Sequence, residues 1–277
     1  MDNKKKGISL YTHNGLYIPY AFLDSEGIAA ENATNYHVEY TCPGCGGGLA
    51  LESIPKTNSK WFRHTGKSSC RVGLRASVTL FVYDVVNSVK QFMTPAFSYR
   101  IGSDTHLLGG PVIATTQELK VSPISLPHSP YISFTWKDVR VYFTVLLGDG
   151  MEWPDFKFFD SHPEHGVIDI PMGYYVANYE RMTRNTLLGY FLQENDQIKW
   201  RNYPWMCEFL KELSLHVRVL PSSLHLDVTG CYRINDCPLR KRTDVTGTYA
   251  FLSRDCHNCP HFLLHDPVKN YVYCGCV

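Results

Sequence analysis

Eight of the ten cysteines in this 277-residue chain crowd into two short stretches, and that distribution constrains the fold more than any other feature. Cys42 and Cys45 form a Cys-Pro-Gly-Cys pair, followed by His64 and Cys70. Far downstream, Cys237 precedes Cys256-His-Asn-Cys259, and Cys274-Gly-Cys276 comes last. A two-residue gap in a tight turn lets two thiolates face one tetrahedral ion, the geometry structural zinc prefers. The spacing therefore predicts two structural Zn²⁺ sites. The first is Cys42, Cys45, His64 and Cys70. The second is Cys237, Cys256, Cys259 and Cys274, with Cys276, His257 or His261 as alternatives for its fourth ligand. Four protein ligands leave no open position, so these ions are expected to hold the fold rather than act on a substrate.

Disulfides are the competing use of paired cysteines, and they need an oxidising compartment. The opening Met1-Asp-Asn-Lys4-Lys5-Lys6 lacks the apolar core of a secretory signal. No stretch approaches the roughly 18 uninterrupted apolar residues of a membrane span. The expectation is a soluble, cytoplasmic protein. Cys207 lies in an apolar segment and reads as a buried small hydrophobe, and Cys231 as a thiol outside both sites.

At 44% hydrophobic and 13% aromatic content the chain can bury a sizeable core. A formal charge of +1 excludes nucleic-acid binding by bulk charge but allows a local basic patch. The clusters are Lys4 to Lys6, Arg71 with Arg75, and Arg240, Lys241 and Arg242.

Short strands are expected through residues 7–40, then a hairpin returning His64 towards the cysteine pair. Val78, Phe81, Val82, Val85, Val86 and Val89 recur at helical spacing and predict a helix over 75–92. Residues 94–130, rich in Pro, Gly and Ser, suggest one or two strands. Tyr131 to Trp136 and Val139 to Leu146 read as strands joined by a turn at Lys137-Asp138, and Gly166 to Pro171 as a buried strand. Helices are expected over 178–194 and 204–214, and a strand over 216–228.

The order of these motifs resembles competence protein CoiA-like sequences. The resemblance rests on Tyr20-Ala-Phe-Leu-Asp-Ser-Glu-Gly27, Tyr40-Thr-Cys-Pro-Gly-Cys45, Trp61-Phe-Arg-His64, the strands at Val139 and Val167, Ile198-Lys-Trp-Arg-Asn202 and the C-terminal cysteines. It covers about half the chain in separate islands. It implies an α+β fold with a mixed sheet flanked by helices, restriction-endonuclease-like, between N- and C-terminal zinc-binding modules. The expected units are residues 1–72, 73–228 and 229–277.

Relatives of this kind carry Glu, His and Lys on the helix after the metal site, where Arg75, Thr79 and Tyr83 stand here. Nucleases of the PD-(D/E)XK type need two or three converging carboxylates for Mg²⁺ and a lysine beside the attacking water. Neither Tyr131 to Trp136 nor Val139 to Val145 contains a carboxylate. The core is thus expected to be catalytically inactive.

A looser Asp…Glu-x-Lys order, Asp104, Glu118 and Lys120, is the alternative catalytic set. Asp149, Glu152 and Asp155 with Lys157 read as a solvated loop, and His162 and His165 lack metalloprotease spacing. The leading expectation is a zinc-stabilised pseudo-nuclease that binds nucleic acid in DNA processing or phage defence, without a small-molecule cofactor. Its candidate contacts are Arg71, Arg75, Arg240, Lys241 and Arg242, with Trp61 and His261 as stacking surfaces. An active Mg²⁺-dependent nuclease and a protein-interaction subunit are the alternatives.

Overall fold

The computed structural model describes residues 17–54, 59–66, 70–122, 130–148, 156–206, 209–210, 217–224 and 232–276. The acidic run at 149–155, Cys207, Cys231, Lys4 to Lys6 and most of the helix expected over 204–214 lie outside them.

The chain opens with an antiparallel sheet of β1 (Tyr17–Ile18), β2 (Tyr20–Leu23), β3 (Glu26–Ala29), β4 (Tyr40–Thr41), β5 (Gly48–Ile54) and β6 (Ser59–His64), in the order β1-β6-β5-β4-β2-β3. Its longest pairing, β5 with β6, sets Leu49 opposite His64 and Leu51 opposite Phe62. Helix α1 (Arg71–Val89) follows, and it starts earlier than the apolar periodicity suggests because Cys70 caps it. Its C-terminal stop is Lys90, left-handed at φ 53°, whose N–H returns to the Val86 carbonyl. Valines are modest helix formers, so packing rather than propensity sustains this helix. Among the described residues it is the one helix long and apolar enough to cross a membrane, and 56% of that window is buried inside the fold.

Residues 94–121, where one or two strands were expected, hold four. β7 (Gln91–Met93) pairs with β10 (Ile113–Thr115), and β8 (Phe97–Ile101) with β9 (Asp104–Gly109). β11 (Gln117–Val121) instead begins the central sheet. The sparse apolar content of these ribbons leaves no strong alternation to read, so pairing partners define them.

The central sheet runs β11-β12-β13-β14-β15, with β12 (Tyr131–Trp136), β13 (Val139–Leu146), β14 (Gly166–Pro171) and β15 (Lys199–Asn202). β13 and β14 are parallel; the other neighbours are antiparallel. Lys137 and Asp138 both have positive φ, as a two-residue primed turn requires. α2 (Phe156–Asp160) precedes β14, and α3 (Gly173–Ala177) and α4 (Arg184–Leu192) follow it. The single helix expected over 178–194 is broken into a 3₁₀ turn at Tyr179–Arg181 and α4, because the Thr183 side chain caps a fresh helix by accepting the Thr186 N–H.

β16 (Arg218–Leu224), placed by the sequence reading in the central unit, belongs to the C-terminal sheet. That sheet comprises β17 (Tyr232–Asn235), β18 (Arg242–Asp244), β19 (Gly247–Phe251), β20 (Phe262–Asp266) and β21 (Tyr271–Cys274), in the order β18-β19-β17-β16-β21-β20. The fold as a whole is mixed and strand-rich. One apolar core runs from Phe62 and Tyr40 through Phe81 and Val82 to Phe92, Phe143 and Ile168, so the first sheet, α1 and the central sheet share an interior. Ser77 of α1 is buried within it, and its hydroxyl accepts the Tyr20 N–H at 2.7 Å and donates to the Tyr20 carbonyl at 2.9 Å. A smaller core around Ile234, Ala250, Leu252 and Val272 belongs to the C-terminal sheet.

Candidate metal centre

The ligand atoms of Cys42, Cys45, His64 and Cys70 all lie within 4.8 Å of one another. A tetrahedral ion with bonds of about 2.3 Å to sulfur and about 2.0 Å to nitrogen spaces its ligands by about 3.5–3.8 Å, so only small closure is needed. The donors come from three elements. Cys42 and Cys45 sit on the turn between β4 and β5, closed by Cys42 N–H to Gly47 O at 2.9 Å and Gly46 N–H to Cys42 O at 3.0 Å. His64 ends β6, its Nε2 3.9 Å from the Cys45 Sγ. Cys70 is the N-cap of α1, its Sγ accepting the Gly73 N–H at 3.2 Å.

Backbone N–H groups of Cys45 and Gly44 also point at the Cys42 sulfur, which favours its thiolate. Burial outweighs them. It pushes the Cys42 thiol up to about 12, and the Cys70 thiol is raised for the same leading reason. Thiols so placed ionise when a cation shares the pocket, and soft sulfur with one imidazole is the donor set of zinc. The site is built for close approach. A Cβ on Gly73 would stand 2.5 Å from the Cys42 Sγ, and one on Gly44 would stand 2.5 Å from the Gly73 nitrogen. This group could hold a metal ion.

In the C-terminal sheet, Cys237, Cys256, Cys259 and Cys274 line one apolar cavity together with Ile234 and Val272. Cys276 is not among its walls. The turn Cys256 to Cys259 is closed by Cys259 N–H to Cys256 O at 2.7 Å. Burial is the chief cause that raises the Cys256 thiol strongly, with Cys237, Cys259 and Cys274 adding to it. Cys274 is raised to about 11, by burial first, although the Cys276 N–H works against the shift. All eight described cysteines are free thiols.

His257 turns away from this cavity. It joins a buried polar chain that no spacing in the sequence signalled. Asp169 on β14 is held bidentately by Arg201 on β15, both bonds 2.8 Å, and also accepts the Thr144 hydroxyl. Arg201 Nη1 lies 3.5 Å from His257 Nδ1, and His257 Nε2 lies 3.7 Å from the Asp160 carboxylate. His265 Nδ1 meets the Asp160 carbonyl at 3.1 Å and its Nε2 meets the Ser222 hydroxyl at 3.2 Å. Burial, aided by Arg201 and His265, holds His257 well below the usual imidazole range. Burial also lowers His265 to about 4. The chain ties the central sheet to the C-terminal one.

The remaining sequence candidates are dispersed. Asp104 is exposed on β9, whereas Glu118 and Lys120 are on β11 in a different sheet. Glu118 is bound by Arg140 at 3.0 Å. Arg71 is exposed and Arg75 half-buried on α1. Arg242 is paired with Asp255 at 2.6 and 3.1 Å, while Arg240 and Lys241 are exposed. Trp61, expected as a stacking surface, is 3% exposed and packs edge-on against Tyr179, so it serves the core. His261 is half-buried.

No family model, characterised protein or solved structure shows a match to this chain.

Proposed function

We propose that this chain is a zinc-stabilised, non-hydrolytic nucleic-acid-binding protein of CoiA-like type, with a restriction-endonuclease-like core, working in the reducing cytoplasm. The observation that carries the reading is the fate of the carboxylates on the central sheet. β12 and β13 have none, Glu118 is engaged by Arg140, and Asp169 is engaged by Arg201. Glu118 and Asp169 each face a guanidinium rather than one another, and two or three converging carboxylates are what hydrolysis of this kind requires. The mixed sheet, with α1 packed on one face and a helix in the parallel crossover, is compatible with such a core.

The second zinc is assigned to Cys237, Cys256, Cys259 and Cys274. Support comes from their shared cavity and from His257 being turned towards Arg201, while Cys276, packed against the same small core, remains the alternative fourth ligand. Each ion contributes on the order of 10 kcal/mol of apparent folding free energy. Nucleic acid as the ligand rests on the resemblance and on the exposed cations of the C-terminal sheet.

The test combines metal analysis with binding and cleavage. Two zinc ions per chain are expected, with no cleavage of single- or double-stranded substrates in Mg²⁺ or Mn²⁺. Nucleic-acid affinity should drop steeply between about 50 and 200 mM salt. Cleavage abolished by Asp104→Ala or Glu118→Ala in folded protein would establish a nuclease instead. A salt-insensitive complex would point to a protein partner.

A further inference from the structure

We propose that the outer face of β17, β18 and β19 is a stacking platform for single-stranded nucleic acid, centred on the exposed Arg254, which stands beside the buried Phe251 ring. This rests on the nucleic-acid reading above and gives it a location. Register puts Arg233 opposite Phe251, and Asn235 and Arg242 beside Tyr249, so these side chains share one face. The opposite face carries Ile234 and Ala250, both buried; on the near face Phe251 is itself 9% exposed, so the surface a ligand meets is the exposed Arg254 and the half-buried Arg233 and Tyr249. Arginines and aromatics therefore alternate across the side turned away from the small core.

They are also layered. The Arg233 guanidinium lies 3.8 Å from the Tyr249 ring centroid, and Arg242 and Arg254 stand 5.1 and 5.8 Å from the Phe251 ring. Asp244 clamps Arg233 at 2.7 Å, and Asp255 holds Arg242, so two of the three are fixed in place. Arg254 differs: it is exposed and has no ion-pair partner among the described residues. Arg240 and Lys241 are exposed on the turn that leads into β18.

A guanidinium laid on an aromatic ring has a second, open face, and a nucleobase stacks there without regard to its sequence. Flanking cations would track the phosphates. Between residues 233 and 255 there are five basic and three acidic side chains, an excess not shared by the nearly neutral chain as a whole. That local surplus fits a polyanion better than a neutral partner. The face of a multi-stranded sheet is broader than the helix or two-stranded ribbon that a major groove admits, so unpaired strands suit it better than duplex.

The experiment is fluorescence anisotropy on the full, zinc-loaded chain, using labelled oligothymidine, oligouridine and a duplex of equal length. The wild type is expected to bind either or both single strands more tightly than the duplex. Arg254→Ala should weaken that binding by about tenfold. Arg254→Lys should retain the salt slope without recovering the affinity, because it keeps charge and loses the plane. Melting temperatures of both variants should match the wild type. Single-strand binding untouched by Arg254→Ala overturns this location and leaves the nucleic-acid reading standing. Failure of the wild type to bind any oligonucleotide overturns both, and tighter binding to duplex overturns the stacking platform.

Discussion

The Cys70 sulfur accepts the Gly73 N–H at 3.2 Å, so a single thiol both faces the candidate ion and caps the central helix. The metal centre and the start of α1 are one object. Loss of the Cys70 sulfur would therefore disturb both the candidate site and the start of the helix around which the shared core is built.

Substituting Cys70 separates the two duties. Serine caps a helix well but is a poor zinc ligand, whereas alanine does neither. Both Cys70→Ser and Cys70→Ala should lose any metal bound at this site, and the alanine variant should be about 1 kcal/mol less stable than the serine one. Zinc release to a colorimetric chelator, read beside urea denaturation, measures both. Full metal content in Cys70→Ser would remove this thiol from the ligand set.

Two glycine-to-alanine changes in helices should have opposite signs. Gly189 in α4 has open space where a Cβ would go, so Gly189→Ala should stabilise by about 0.5–1 kcal/mol. Gly73→Ala gains the same propensity, yet its Cβ would meet the Cys42 and Cys70 sulfurs at 2.5 and 2.9 Å. It should lower zinc content and melting temperature together. A Gly73→Ala protein more stable than the wild type would contradict the geometry.

The Arg201–Asp169 pair has side chains only 7% and 19% exposed. Removing one member strands the other in a poorly solvated place, which costs about 3–5 kcal/mol. Asp169→Ala should therefore shift the urea midpoint strongly. The double variant Asp169→Ala, Arg201→Met should recover part of the loss. Simple additivity of the two changes would deny their coupling.

Acid should loosen the same joint. His265 is held at about 4, below its unfolded value near 6.5, because it is buried. The unfolded chain thus takes up a proton that the folded one refuses. The neutral His265 favours folding fully above about 6.5, and that advantage is lost as pH falls towards about 4, up to about 3 kcal/mol. Urea midpoints across this range should fall in the wild type and fall less in His265→Gln. An identical slope in both proteins would place the acid sensitivity elsewhere.

Much of this was legible from spacing alone. The Cys-x-x-Cys turns, the Lys137-Asp138 hairpin and the apolar period of α1 are local patterns in which few residues decide the outcome. The partners of β16 were not legible, because alternation reports a half-buried strand but not what it pairs with, and it pairs with β17 and β21. The four strands of residues 91–115 carry little apolar alternation and take their shape from neighbours. Nothing in the sequence signals that Arg201, Asp169 and His257 meet, and His257 reads there instead as an alternative ligand of the second site. Their meeting depends on how two sheets are set against each other, and each alone looks like an ordinary surface charge.

One consequence follows from the β8–β9 ribbon and its backbone bonds. Arg100 donates its N–H to the Pro260 carbonyl at 3.0 Å, and Gly102 donates to Gly275 at 2.8 Å. A segment made early in synthesis is thereby moored to one that leaves the ribosome much later. Without those partners the Arg100 and Gly102 amides would face water, leaving an open β edge of the kind that recruits foreign strands. Protection from misassembly therefore waits for a stretch translated well after the ribbon, the same stretch that carries the second cysteine quartet.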